Sequence, residues 1–255
     1  MSKIKNLIYS LCAQFQYRTD SSQYIYRLQS HRGYCQDPEI SENTLVAIQQ
    51  SYQLKYQMVE FDVRLTKDHH VILFHDDHYK GQKISKLNLS ELKEKIHIDL
   101  LDEVFFWFQT IDKNAFKLNI EIKSKVINGK LEKYVFQLIQ KHQMQKNILI
   151  SSFNPISLAH FCKMDATIFR SLLLSNEKEH GNNFFIKNMT LNFLAKPNAL
   201  HLRKEDWSSQ IFRKILKLKI PIVLWTCNEI SDAKVYFSEG VSGLISDTIQ
   251  PVDLK

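Results

Sequence analysis

An α/β fold, specifically a (β/α)8 TIM barrel with a small hairpin insertion after the second strand, is predicted by three observations. Nine short β-branched or aromatic runs alternate with stretches of helical spacing. One link between two of these runs, Thr66-Lys67-Asp68-His69-His70, is far shorter than the dozen or so residues that a crossover to a parallel strand requires. The chain has 255 residues, a length that one such barrel commonly occupies.

The candidate strands are Tyr24–Ser30, Met58–Leu65, Val71–His75, Leu118–Lys123, Ile148–Ser152, Ile168–Leu174, Ala199–Leu202, Ile222–Thr226 and Gly243–Ser246. Because the short link can only form a hairpin, Val71–His75 is an added strand turned back from Met58–Leu65, and eight strands remain for the barrel. Helical spacing fills most of the gaps. Asn43–Leu54 follows Ser41, which serves as the expected N-cap. Leu89–Lys95 and Leu101–Thr110 come after the hairpin, Lys130–His142 after the next strand and Pro155–Lys163 after the one beyond it. Trp207–Leu218 and Ile230–Glu239 flank Ile222–Thr226. Eight strands alternating with helices make a closed parallel barrel. The polar stretch Ser175–Asn183 reads as a loop over one end.

Without a repeat or a Gly/Pro/Ser-rich linker, residues 24–255 read as one domain. Residues 1–23 read as an amphipathic helical lead that packs on the body, peripheral contact with a membrane being the alternative. Its apolar run is short and interrupted, a poor signal peptide, and no run in the chain is long enough to span a bilayer. Cys12, Cys35, Cys162 and Cys227 form no C-x-x-C pair, which argues against a zinc knuckle or a redox motif and for a reducing, cytoplasmic setting.

A 44% hydrophobic content supports a large core, and the formal charge of +7 suits an anionic substrate or a membrane surface. The lysines are scattered, however, and no basic helix interleaved with aromatics appears, so nucleic acid is not an expected partner. Nothing in the sequence sets an oligomeric state.

In a barrel of this kind, chemistry collects at the C-terminal ends of the strands. His31-Arg32-Gly33 follows the first strand directly, and Trp225 stands near the end of Ile222–Thr226. Glu60 and Asp62 are two residues apart on one strand and so share a face, and Glu121 and Lys123 repeat that spacing. The alternate residues, Val59, Phe61 and Val63, are apolar and belong against the surrounding helices, which turns the carboxylates inward. Three inward carboxylates, with Glu121 expected from across the barrel, repel one another and desolvate badly without a cation. An all-oxygen set favours Mg²⁺ or Ca²⁺ over zinc. His31 and His75, the latter brought back over the mouth by the hairpin, suit general acid–base work. Arg32 offers a bidentate fork for phosphate oxygens, Lys123 a point charge, and Gly33 a sharp backbone turn. By themselves these residues reach metal-assisted phosphodiester cleavage.

The same residues carry a resemblance. His31-Arg32-Gly33, Ser41-Glu42-Asn43-Thr44, Glu60-Phe61-Asp62-Val63, Leu73-Phe74-His75-Asp76, Glu121-Ile122-Lys123, Ser151-Ser152-Phe153, Leu224-Trp225-Thr226-Cys227-Asn228 and Gly240-Val241-Ser242-Gly243-Leu244-Ile245-Ser246-Asp247 resemble, in order, the motifs of the glycerophosphodiester phosphodiesterase family. The resemblance runs from residue 24 to about 250 and implies the same barrel. It implies Glu60, Asp62 and Glu121 as metal ligands, His31 and His75 as the acid–base pair, Arg32 and Lys123 as phosphate contacts, and Trp225 as a wall beside the alcohol part of the substrate. Glu42 and Asn43 either orient the site or cap the next helix. Ser242 and Ser246 replace the family's usual Asp and Thr, and the segment after His75 is short, which leaves head-group preference open.

The implied activity is metal-dependent hydrolysis of small glycerophosphodiesters to glycerol 3-phosphate and an alcohol, with Mn²⁺ a third candidate metal. The first nucleophile is water or the neighbouring glycerol hydroxyl. The rivals on the same fold are a lysophospholipase D, or related lipid phosphodiesterase, and a barrel that binds phosphodiesters without turnover.

Overall fold

The computed structural model describes residues 27–175, 191–206 and 220–255. Residues 1–23, the start of Tyr24–Ser30, most of the Ser175–Asn183 loop and the Trp207–Leu218 helix lie outside the described residues.

In chain order the elements are β1 (Leu28–Ser30), α1 (Leu45–Gln53), β2 (Met58–Leu65), β3 (Val71–Leu73), β4 (His78–Tyr79), β5 (Gln82–Lys83), α2 (Leu89–Lys93), α3 (Leu101–Phe108), β6 (Lys117–Ile122), α4 (Lys130–Lys141), β7 (Ile148–Ser152), α5 (Pro155–Met164), β8 (Phe169–Leu174), α6 (Asn192–Ala195), β9 (Ala199–Arg203), β10 (Ile222–Trp225), α7 (Ile230–Ser238) and β11 (Gly243–Ser246). β1, β2 and β6 to β11 run parallel, and β1 pairs with both β2 and β11, so the sheet closes into an eight-stranded barrel. β3 lies antiparallel against β2 through Val63–Leu73, Arg64–Ile72 and Leu65–Val71. The five-residue link is therefore the hairpin that its length demanded. β4 and β5 form a second, smaller hairpin in the same insertion, turning at Lys80 and Gly81, both with positive φ.

Two local expectations are corrected. The first helix starts at Leu45, and its N-cap is Thr44, whose side chain accepts from the Ala47 amide, rather than Ser41. Asn43 lies outside the helix with a φ of 55°, because its side chain is committed to β2. The returning strand ends at Leu73, so Phe74 and His75 continue as irregular chain.

Alternation within the strands sorts the core into two regions. Val59, Phe61 and Val63 of β2, with Leu118, Ile120 and Ile122 of β6, pack outward against Val104, Phe105, Phe108 and Phe116. Each such large apolar side chain contributes about 1.5–3 kcal/mol on burial. The inward residues form layers. Met58, Leu149, Phe169 and Ala199 cluster at the N-terminal end of the strands. Gln29, Asn119, Ser151, Ser171 and His201 are buried further along. In that layer Asn119 donates to Gln29 (3.0 Å) and Ser151 donates to Asn119 (2.8 Å). The carboxylates stand at the C-terminal end. Among the described residues, no helix is long and apolar enough to cross a membrane.

Candidate active site

Glu60 and Asp62 project from β2, and Glu121 from β6. These strands are direct neighbours, with Asp62 in register with Glu121. This corrects the expectation that Glu121 reaches the site from across the barrel: once β3 leaves the barrel as an added strand, β6 is next to β2. One carboxylate oxygen from each residue lies within 4.8 Å of the others, and all three residues are buried. Among the described residues Glu60 Oε1 has no hydrogen-bond partner, while Oε2 accepts from the Arg32 amide at 3.0 Å. A buried, all-carboxylate set with an unpartnered oxygen fits a hard divalent cation held by Glu60, Asp62 and Glu121.

The electrostatics divide this trio. Burial, reinforced by the charge of Asp62, pushes the Glu60 carboxyl up to about 8. Glu121 is also raised by burial, against the pull of Lys123. Burial would raise Asp62 too, but Lys123, His75 and Arg32, with a hydrogen bond from Asn43, hold it well below the usual carboxylate range. The Lys123 ammonium lies 2.6 Å from Glu121 and 3.1 Å from Asp62, so its charge is engaged with the carboxylates. Arg32 donates to Glu42 at 2.8 Å, and its Nε lies 3.6 Å from Asp62. Asn43 grips Asp62 twice: its amide donates to Oδ2 at 3.0 Å, and its oxygen accepts from the Asp62 backbone at 2.8 Å. In the Glu42-Asn43-Thr44 turn, the first two residues therefore orient the site and the third caps the helix.

His31 stands just past β1, where Gly33 turns the chain with a φ of +81°. A Cβ on Gly33 would lie 2.5 Å from that of Ala47. His31 Nδ1 is 2.6 Å from Asp247, and Nε2 faces Glu60 at 4.0 Å. Burial alone would lower the imidazole, but the Asp247 hydrogen bond and the charges of Glu60 and Asp247 raise it. Asp247 is held in turn by Asn228, which donates at 2.8 Å and accepts from the Asp247 amide at 2.9 Å. His75 Nδ1 pairs with the exposed Asp76 at 2.8 Å. Burial and the cations Lys123 and Arg32 lower its imidazole, against the pull of Asp62 and Asp76. Trp225 ends β10 half-buried, its ring edge-on to Phe153 with centroids 5.7 Å apart.

His31, Arg32, Glu60, Asp62, His75, Glu121 and Lys123 are thus drawn into one linked cluster at the C-terminal end of the barrel, and Trp225 ends a strand on the same side. Asp247 and Asn228 are the functional candidates that reading the chain left without a role. Their signal was their position, just past strand ends in two of the quoted stretches. The cluster offers a cation site, two guanidinium or ammonium groups for an anion, and two imidazoles that each have one nitrogen fixed by a carboxylate. Together these can polarise a phosphoryl group and move protons at its two ester oxygens.

Comparison with known proteins follows the same line. The profile described as "Glycerophosphoryl diester phosphodiesterase family" matches residues 31–250. A glycerophosphodiester phosphodiesterase of Caldanaerobacter subterraneus is 25% identical over 242 residues, covering 86% of this chain and 92% of that protein. A lysophospholipase D of Rattus norvegicus is 23% identical over 283 residues, covering 89% and 84%. Among solved structures, a phosphodiesterase of Oleispira antarctica in complex with the product sn-glycerol-3-phosphate superposes with a TM-score of 0.74 at 22% identity, covering 89% of this chain and 95% of that one. A glycerophosphodiester phosphodiesterase of Thermotoga maritima gives 0.66 at 27% identity, covering 86% and 93%.

Proposed function

The chain belongs to the glycerophosphoryl diester phosphodiesterase family and is a phosphoric diester hydrolase; we propose that it cleaves small glycerophosphodiesters to glycerol 3-phosphate and an alcohol, with a divalent metal and two histidines. The observation that supports this reading is the buried carboxylate trio within 4.8 Å, flanked by His31 and His75 on separate segments. Glu60, Asp62 and Glu121 would hold Mg²⁺, Ca²⁺ or Mn²⁺, which when bound supplies charge stabilisation for a phosphoryl oxygen.

The remaining work falls to the chain's own side chains. Arg32 and Lys123 supply donors for the non-bridging phosphoryl oxygens. One imidazole takes a proton from the attacking hydroxyl and the other gives one to the leaving alcohol. Attack by water yields glycerol 3-phosphate directly, whereas attack by the substrate's neighbouring glycerol hydroxyl yields a cyclic phosphate that water then opens, with the same pair moving the protons. Asp247 on His31 and Asp76 on His75 each occupy Nδ1, leaving Nε2 of both rings for that exchange. Trp225 walls the alcohol side.

We infer that residues 24–255 are the barrel domain and residues 1–23 a lead segment. A cytoplasmic setting suits the free thiols of Cys35, Cys162 and Cys227. Relatives named lysophospholipase D make acylated substrates the second reading. The test is hydrolysis of glycerophosphocholine and of lysophosphatidylcholine by chelated protein, with Mg²⁺, Ca²⁺ or Mn²⁺ restored in turn. Metal-dependent turnover of the first substrate supports the primary reading, and turnover of the second alone supports the other.

A further inference from the structure

His75 lies beyond the end of β3, so no strand ladder holds it. Its carbonyl is held by Arg64, which lies two residues beyond Asp62 on the same face of β2. The Arg64 Nε and Nη2 both donate to the His75 carbonyl, at 2.9 and 2.6 Å. Its Nη1 donates to the Lys123 carbonyl at 3.1 Å and to Asp77 at 3.2 Å. The Arg64 side chain is only 9% exposed. One rigid, planar guanidinium thus ties together the two segments that carry His75 and Lys123. On the other side, the Phe74 amide donates to the Asp62 carbonyl at 3.1 Å, so the chain entering His75 is anchored to β2 twice.

We propose that Arg64 is a positioning residue for the reaction: its fork on the His75 carbonyl sets where the His75 imidazole stands relative to the carboxylates. Every nitrogen of the guanidinium is used on these partners, so Arg64 acts through His75 and not on the phosphate. This inference rests on the proposed role of His75. Lysine keeps the charge of Arg64 but replaces the planar fork by a single flexible point of contact. A small misplacement of a proton-transfer group costs rate far more than it costs substrate binding.

The experiment is a double-mutant cycle of Arg64→Lys and His75→Ala in the metal-loaded full chain, with thermal melts to establish folding. Arg64→Lys is expected to lower kcat by roughly 10–100-fold with KM changed by less than about 3-fold. In the His75→Ala background the same change is expected to cost less than about 2-fold, since there is no imidazole left to place. Free guanidinium ion at low concentration is expected to restore part of the rate of Arg64→Ala. Near-normal turnover by His75→Ala overturns the role of His75 and that of Arg64 with it. A large loss in His75→Ala, with an undiminished Arg64→Lys effect in that background, overturns the role of Arg64 alone, as does near-normal kcat in folded Arg64→Lys.

Discussion

Asp247 and His31 are 216 residues apart in the chain, yet Asp247 Oδ1 lies 2.6 Å from His31 Nδ1. Closure of the barrel joins them, because β11 pairs with β1 and each residue directly follows its strand. The carboxylate fixes one ring nitrogen and leaves the other facing Glu60. Asp247→Asn keeps the size of the side chain but offers an amide as readily as an oxygen to Nδ1, so the ring loses its imposed tautomer. The expected outcome is a fall in kcat of about 10–100-fold with the melting temperature nearly unchanged. Steady-state kinetics and a thermal melt on the same preparation check it.

Asn43 has a φ of 55° and two hydrogen bonds to Asp62. Asn43→Gly tolerates that backbone and removes only the amide, so it separates orientation from strain. Asp62 then loses one side-chain donor and its own amide loses an acceptor. Stability is expected to fall by about 1–3 kcal/mol, and metal affinity by about 10-fold or more. Denaturant melts and calorimetric titration of the metal read the two effects separately.

His201 sits in the barrel interior, fully buried, with neither ring nitrogen hydrogen-bonded among the described residues. Burial lowers its imidazole from 6.5 to about 3, so the folded state holds it neutral where the unfolded chain binds a proton. Below pH 6.5 the unfolded state therefore takes up one more proton than the native state. Stability is complete above that value and declines by about 1.4 kcal/mol per pH unit as pH falls toward 3. His201→Leu is expected to show a slope of stability against pH shallower by one proton across that window. Urea melts at several pH values measure it, and equal slopes in the two proteins would contradict the assignment.

A divalent ion held by Glu60, Asp62 and Glu121, as proposed, would stabilise the folded chain by mass action, since the trio does not exist in the unfolded state. Saturating Mg²⁺, Ca²⁺ or Mn²⁺ is expected to raise the melting temperature of the chelated protein by several degrees. Glu121→Gln is expected to shrink that shift while leaving the fold intact. A scan with and without chelator checks both.

Much of this was legible in the chain for identifiable reasons. β2 reads clearly because both its faces are buried for different purposes: Val59, Phe61 and Val63 pack on helices, while Glu60, Asp62 and Arg64 point the other way. The link from Leu65 to Val71 is too short for anything but a hairpin, and removing β3 leaves eight strands. What stayed hidden depends on closure and on backbone. Glu121 is expected from across the barrel, but the order of strands around the sheet, set by pairing and not by distance along the chain, puts its strand beside that of Glu60. An asparagine with positive φ looks, in sequence, like the first residue of a helix. Arg64 could be placed on the inward face, but its partners are the carbonyls of His75 and Lys123, and no side-chain pattern reveals a carbonyl.

The central claim is that a metal and two histidines perform the cleavage, and metal-restored hydrolysis of glycerophosphocholine by the wild-type chain, His31→Ala and His75→Ala tests it most directly. The expected result is turnover that chelator abolishes and a divalent ion restores, with each variant folded and slower in kcat by about 100-fold or more. Chelator-resistant turnover, or a folded variant of either histidine working at nearly the wild-type rate, would contradict it.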